Sequence, residues 1–151
     1  MNPVNKFDPA EIDPLRFCKL AQAWEVNSDL SEFPRLVSEF TQGQLFCRVT
    51  GRTDRHKGCV LSVEIRGEVE LTCQRCLGGL THEIAIACDV ALARDEAELE
   101  RRSADAESSV EVILAGAKLS LIDLIEDEVL LGLPLAPKHA PGVCVIPAVI
   151  I

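Results

Sequence analysis

Apolar residues recur with two different periods along this chain, and the change of period divides it. From Gln44 the period is two: Leu45, Cys47 and Val49 alternate with Arg48 and Thr50. A polar turn from Arg52 to Gly58 follows, and then Leu61, Val63, Ile65, Val69, Leu71 and Cys73 keep one phase. Ser62, Glu64, Arg66, Glu68, Glu70 and Thr72 hold the positions between them. Strict alternation of this kind gives a strand one wet face and one buried face, as in an antiparallel sheet. Gly67 interrupts the run and marks a bend or bulge in one long strand, or the corner between two. Ile84, Ile86, Cys88, Val90 and Leu92 alternate again within Leu80 to Leu92. The middle of the chain therefore predicts an antiparallel meander whose turn after Cys73 carries a second cysteine, Cys76.

Helical signals flank the meander. Asp13-Pro14 supplies an N-cap and a proline at the first helical position, opening a helix to about Gln22 with Phe17, Leu20 and Ala21 on its apolar face. An extended piece, Ala23 to Val26, follows. Ser31 is placed to cap a second helix, with Pro34 in its first turn and Phe33, Leu36, Val37 and Phe40 at helical spacing. Arg94 to Ser109 is charged, with Leu99 its only large apolar residue, and predicts a mobile linker or a frayed helix. Val110 to Leu114 suits a further strand. Ser120 to Asp123 matches a capping box that starts a helix to about Leu131, stopped by Pro134 and Pro137. On that helix Asp123, Glu126 and Asp127 share one broad side, expected to be exposed and dispensable for folding. Glu128 falls between Leu121 and Leu124 in the apolar arc, where a carboxylate must be paired or mark a contact surface; the alternative is that this side is only half-buried. The expected fold class is α+β: an antiparallel β-meander of four to six strands, with short N-terminal helices and a C-terminal helix packed on the sheet. It forms one domain over residues 1–151, with a charged flexible segment at about 94–109.

Composition adds limits. With 151 residues, 48% of them hydrophobic, the chain can bury a real core. A formal net charge of -9 disfavours binding nucleic acid through a broad basic surface, leaving a local basic patch or a basic protein partner. Seven cysteines, odd in number and scattered, do not resemble a disulfide framework. The start lacks the apolar run of a secretory signal, and no stretch has the ~20 apolar residues that span a bilayer. These features predict a cytoplasmic protein with reduced thiols and no membrane contact.

Cys73-Gln74-Arg75-Cys76 and the later pair His139 and Cys144 have the spacing of two short ligand pairs separated by a long insertion. Zinc favours that donor set because thiolates at ~2.3 Å and imidazole complete its tetrahedron. One structural zinc on Cys73, Cys76, His139 and Cys144 is therefore a candidate cofactor. The alternative makes Cys73 a core residue and Cys76 a turn residue. Arg48, Arg52, Arg55, His56 and Lys57 gather within a short stretch, with Arg66 or Arg75 able to approach them, as a candidate phosphate-contacting patch. The alternative is a solvated hairpin tip. No aromatic residue interleaves the patch, so base stacking is not implied. No catalytic triad, Gly-rich phosphate loop or paired-carboxylate site emerges.

The segments Val69-Glu70-Leu71-Thr72-Cys73-Gln74-Arg75-Cys76-Leu77 and Leu121 to Pro134, with Pro137-Lys138-His139 and Cys144, resemble the bacterial family of the large ribosomal RNA subunit accumulation protein YceD. The resemblance runs from Asp13-Pro14 to about Cys144. It implies a role in the synthesis, processing or stability of 23S rRNA, without a known catalytic activity. Members similar to this chain usually continue into a basic tail, whereas this sequence ends on Ile146-Pro147-Ala148-Val149-Ile150-Ile151. The expected function is a non-enzymatic ribosome biogenesis factor acting on 23S rRNA or its precursor. RNA would meet Arg48, Arg52, Arg55, Lys57 and Arg75, while Asp123, Glu126, Asp127 and Glu128 would meet a basic ribosomal protein. The alternative is an acidic escort that binds a basic large-subunit protein and touches RNA only indirectly. A thiol-dependent enzyme would need a depressed Cys76 pKa.

Overall fold

The computed structural model describes residues 8–54, 58–104, 110–134 and 136–139. Nine elements follow in order among them: α1 (Pro14–Lys19), β1 (Ala23–Ser28), α2 (Pro34–Val37), β2 (Gly43–Thr53), β3 (Cys59–Thr72), β4 (Gly79–Ala93), α3 (Glu96–Ser103), β5 (Glu111–Leu114) and α4 (Leu121–Leu131). The fold is α+β, built on a five-stranded sheet of order β1-β2-β3-β4-β5. No helix among the described residues is long and apolar enough to cross a membrane.

The alternation in the sequence becomes the meander β1 to β4, antiparallel at each step. Leu45, Cys47, Val49, Leu61, Ile65 and Val90 are buried on one face, where Phe17 of α1, Leu36 of α2 and Ile125 of α4 join the same core. β5 departs from the meander pattern and pairs parallel to β4 over residues 90–93. The reason lies in the charged segment after β4. It holds α3, capped by Asp95, whose side chain accepts from Glu98 N at 2.8 Å. A helical crossover of this kind returns the chain in the direction it left, as parallel pairing requires. Of the two readings of the charged segment, a helix is therefore found over Glu96–Ser103, and residues 105–109 lie outside the described residues.

Gly67 makes neither corner nor bulge. The β3 register runs unbroken through it, opposite Leu45 on one side and Ile84 on the other. Its φ is 154°, and a Cβ there would collide with the Gln44 carbonyl oxygen. Glycine at this position lets β2 approach closely while β3 stays continuous. Gly67→Ala is expected to cost about 1–3 kcal/mol from backbone strain alone, read as a lower midpoint in urea unfolding.

Three expectations are corrected by packing. Ser31 does not cap α2, which is a four-residue turn of helix whose N-cap position is Phe33, without a side-chain bond. The acceptor comes from α4 instead: Glu126 Oε2 takes the Arg35 N–H at 2.8 Å, and Glu126 Oε1 takes Arg35 Nε at 2.9 Å. Glu126 is consequently 2% exposed rather than part of an open acidic side. Asp123 and Asp127 do stay exposed, with Asp127 accepting from Arg35 Nη2 at 2.8 Å. The thiols are not all reduced either, because Cys18 and Cys59 form a disulfide that ties α1 to β3. Their sequence separation of 41 left no local spacing from which to read it.

Candidate metal centre

β3 ends where its buried phase delivers Cys73, 0% exposed, to the mouth of the β3–β4 turn. Cys73 N donates to Gly78 O at 2.9 Å, and Leu77 N donates to Cys73 O at 2.8 Å. Leu77 takes a φ of 62° to close this loop. Such tight closure folds Cys76 back over Cys73. The segment after α4 then docks on the turn: Gln74 N donates to Pro137 O at 2.8 Å. That bond brings His139 alongside both sulfurs.

Ligand atoms of Cys73, Cys76 and His139 all lie within 4.8 Å of one another. Cys76 Sγ is 3.4 Å from His139 Nδ1. A tetrahedral zinc with usual bond lengths spaces sulfur and nitrogen about 3.5 Å apart, so these residues fit the ion. Further contacts suit a thiolate. Arg75 N and His139 N each point at Cys73 Sγ from 3.4 Å, and N–H donors stabilise negative sulfur. His139 Nε2 lies 2.8 Å from Gly79 O. A carbonyl accepts only, so Nε2 carries the hydrogen and the Nδ1 lone pair faces Cys76. That second bond orients the ring as a ligand-supporting contact does. Cys144, the fourth residue of the expected set, lies outside the described residues.

The candidate phosphate patch is not assembled as one surface by the described residues. Arg48 and Arg52 share the face of β2 opposite the core, yet each meets a carboxylate: Arg48 Nε is 3.6 Å from Glu25, and Arg52 Nη2 is 2.9 Å from Asp89. Asp89 also accepts from the Ser62 hydroxyl at 2.9 Å. Arg66 sits near Glu64 at 3.4 Å and over the Phe46 ring at 5.5 Å. Arg55 and Lys57 lie outside the described residues. Arg75 stands at the far end of β3, a strand of 14 residues, which separates the two turns by roughly 45 Å. An unbroken β3 is thus what keeps Arg75 from joining the others.

A cation that sequence reasoning missed reaches the β2–β3 turn from α3. Arg102 donates to Asp54 Oδ2 at 2.7 Å and to Leu92 O at 3.1 Å. Its signal was hidden in a segment read as linker or frayed helix.

On α4, Glu128 is half-buried against β4, with Cys88 Sγ 3.8 Å from Oε1. Burial, then nearby Glu111, raises its carboxyl pKa above the ordinary 4.5. Burial foremost, then Glu128, pushes the Cys88 thiol up to about 11. A carboxylate with a raised folded-state pKa disfavours folding when ionised, fully so only above that raised value. Glu128→Gln is therefore expected to raise the melting temperature at neutral pH. The gain should fade as pH falls and vanish below the ordinary value of 4.5. Thermal melts across that pH range measure it.

The family model described as "Large ribosomal RNA subunit accumulation protein YceD" matches residues 61–147. The matched span runs from β3 through the cysteine turn and α4 to beyond His139. No solved structure matches the chain.

Proposed function

The chain belongs to the family of the large ribosomal RNA subunit accumulation protein YceD, and from that premise we propose that it is a non-enzymatic ribosome biogenesis factor. It supports the synthesis, processing or stability of 23S rRNA. The family match over residues 61–147 carries this reading. In it, Cys73, Cys76, His139 and Cys144 hold one structural zinc that fixes the β3–β4 turn. The turn then presents Arg75 and Lys138, both exposed, on a rigid end of the sheet. Support for phosphate contact is greatest at Arg75, which has no ion pair among the described residues, since Arg48 and Arg52 already face carboxylates.

Two of the thiols are unsuited to nucleophilic chemistry. Burial raises Cys47 to about 12 and Cys88 to about 11, so both stay protonated and weakly nucleophilic at neutral pH. The cytoplasm is the proposed compartment.

A second reading is favoured by the net charge of -9 and the paired state of Arg48 and Arg52. In that reading the protein is an acidic escort for a basic large-subunit protein. Depleting the protein from its cell tests the shared premise: 23S rRNA should fall relative to 16S, or keep unprocessed ends. Unchanged amounts and ends would remove both readings. Crosslinking in cells then separates them, since direct contact joins the turn at Arg75 to RNA and the escort joins the chain to protein alone.

A further inference from the structure

Among the described residues, β4 carries an open edge. β3 occupies one of its sides from Gly79 to Leu92, while β5 lines the other only over residues 90–93. Among the described residues, positions 79–89 have no strand beside them there. Two hydrogen bonds identify the backbone groups on this edge. The Ala93 carbonyl accepts from Ala115 N at 2.9 Å, and the Gly79 carbonyl accepts from His139 Nε2 at 2.8 Å, both away from β3. Because the register with β3 is unbroken, alternation aims the N–H and C=O of Thr81, Glu83, Ala85, Ala87 and Asp89 the same way.

Such an edge is a template for an added strand, and native sheets usually blunt it with lysine, proline or a bulge. Residues 79–89 contain no lysine and no proline, and the register shows no slip. The flanks are acidic. Exposed Glu83 lies opposite exposed Glu68 on the outer face. Toward the inner face, a hollow between β5 and α4 is lined by Glu111, Asp127 and Glu128 together with Leu130 and Leu131. Leu131 is 78% exposed. Among the described residues, two cations lie near this edge and both are already held: Arg66, opposite Ala85, by Glu64 at 3.4 Å, and Arg52 by Asp89 at 2.9 Å.

We infer that this edge receives an extended, lysine- or arginine-rich segment of another protein as an added strand. The backbone of the segment bonds to the groups of residues 81–89. Its apolar side chains reach Leu130 and Leu131 on the inner face, and its basic ones meet Glu83 and Glu68 on the outer face. Charge decides among occupants: a second copy of this chain would set acidic edge against acidic edge. The inference goes beyond the rRNA reading and holds whatever RNA the protein serves.

Two labelled peptides test it, one alternating valine with lysine and one alternating valine with glutamate. The lysine peptide should bind the full chain, with affinity falling as salt rises, and the glutamate peptide should not. Hydrogen exchange should slow at the amides of Thr81, Glu83, Ala85, Ala87 and Asp89, while the even-numbered amides, already in the β3 ladder, stay as they were. Ala85→Pro, which removes an edge donor without touching that ladder, should weaken binding about tenfold or more. Glu83→Lys, an exposed change independent of backbone folding, should weaken the lysine peptide severalfold and admit the glutamate peptide. Equal binding of both peptides, protection elsewhere, or a peptide-free dimer paired through this edge would each overturn the inference.

Discussion

Purified protein should carry about one zinc ion per chain, and Cys76→Ser should lose that ion together with several kcal/mol of stability. Structural zinc contributes folding free energy because its site does not exist in the unfolded chain. Here Cys76 and His139, 63 positions apart, come together only when the β3–β4 turn meets the segment after α4. The ion therefore closes a long loop in addition to forming its bonds. Because the sheet has its own core, loss of the ion should lower the melting temperature without abolishing the fold. A strong chelator should act in the same direction on the wild-type chain and do nothing further to the variant. Cobalt substitution should give the visible absorption of tetrahedral thiolate coordination. Metal-free fresh protein with unchanged stability in Cys76→Ser would return Cys73 to packing and Cys76 to the turn.

What could be read in advance was whatever a single element decides by itself. The alternation from Leu45 to Leu92 gave the meander, and Ser120 with Asp123 gave the start of α4, where the Ser120 hydroxyl accepts from Asp123 N at 3.1 Å. The three described members of the candidate ligand set are an exception, because donor types at short spacing point to one another although the turn and the segment after α4 are distant in sequence. Other features that depend on two distant elements were not legible. The direction of β5 depends on α3 acting as a crossover. The Cys18–Cys59 bond depends on α1 crossing the sheet at β3. The basic patch shows a related limit: charges grouped in sequence say nothing of the carboxylates that neighbouring strands set beside them. Glu25 on β1 and Asp89 on β4 reach Arg48 and Arg52 only through strand register. The helical wheel of α4 shows the same limit. It reports one stripe against the sheet, and Glu128 lies at that stripe's half-buried margin. It has no knowledge of α2, which covers the opposite shoulder and buries Glu126.

That second contact makes Glu126 a folding residue, and Glu126→Ala should cost about 2–4 kcal/mol. The carboxylate is 2% exposed and makes two bonds to one residue, Arg35, through its backbone N–H and its Nε. Truncation leaves a cavity between α2 and α4 and removes the acceptor for Arg35 N. Nothing local replaces it, since the N-cap position of α2 is Phe33. Glu126→Gln should cost less, because its carbonyl oxygen can still accept from Arg35 N while the ionic bond to Nε weakens. Arg35→Ala should be at least as damaging as Glu126→Gln, since it strands a buried negative charge with a single donor. Asp127→Asn should be nearly neutral, because its pair with Arg35 is solvated on both sides, at 58% and 46% side-chain exposure. Urea unfolding of the four variants gives this order directly. If Glu126→Ala and Asp127→Asn lose equal, small amounts, the Glu126–Arg35 pair does not hold α2 on α4. The acidic side of the helix would then be free, as its sequence alone suggested, for contact with a partner.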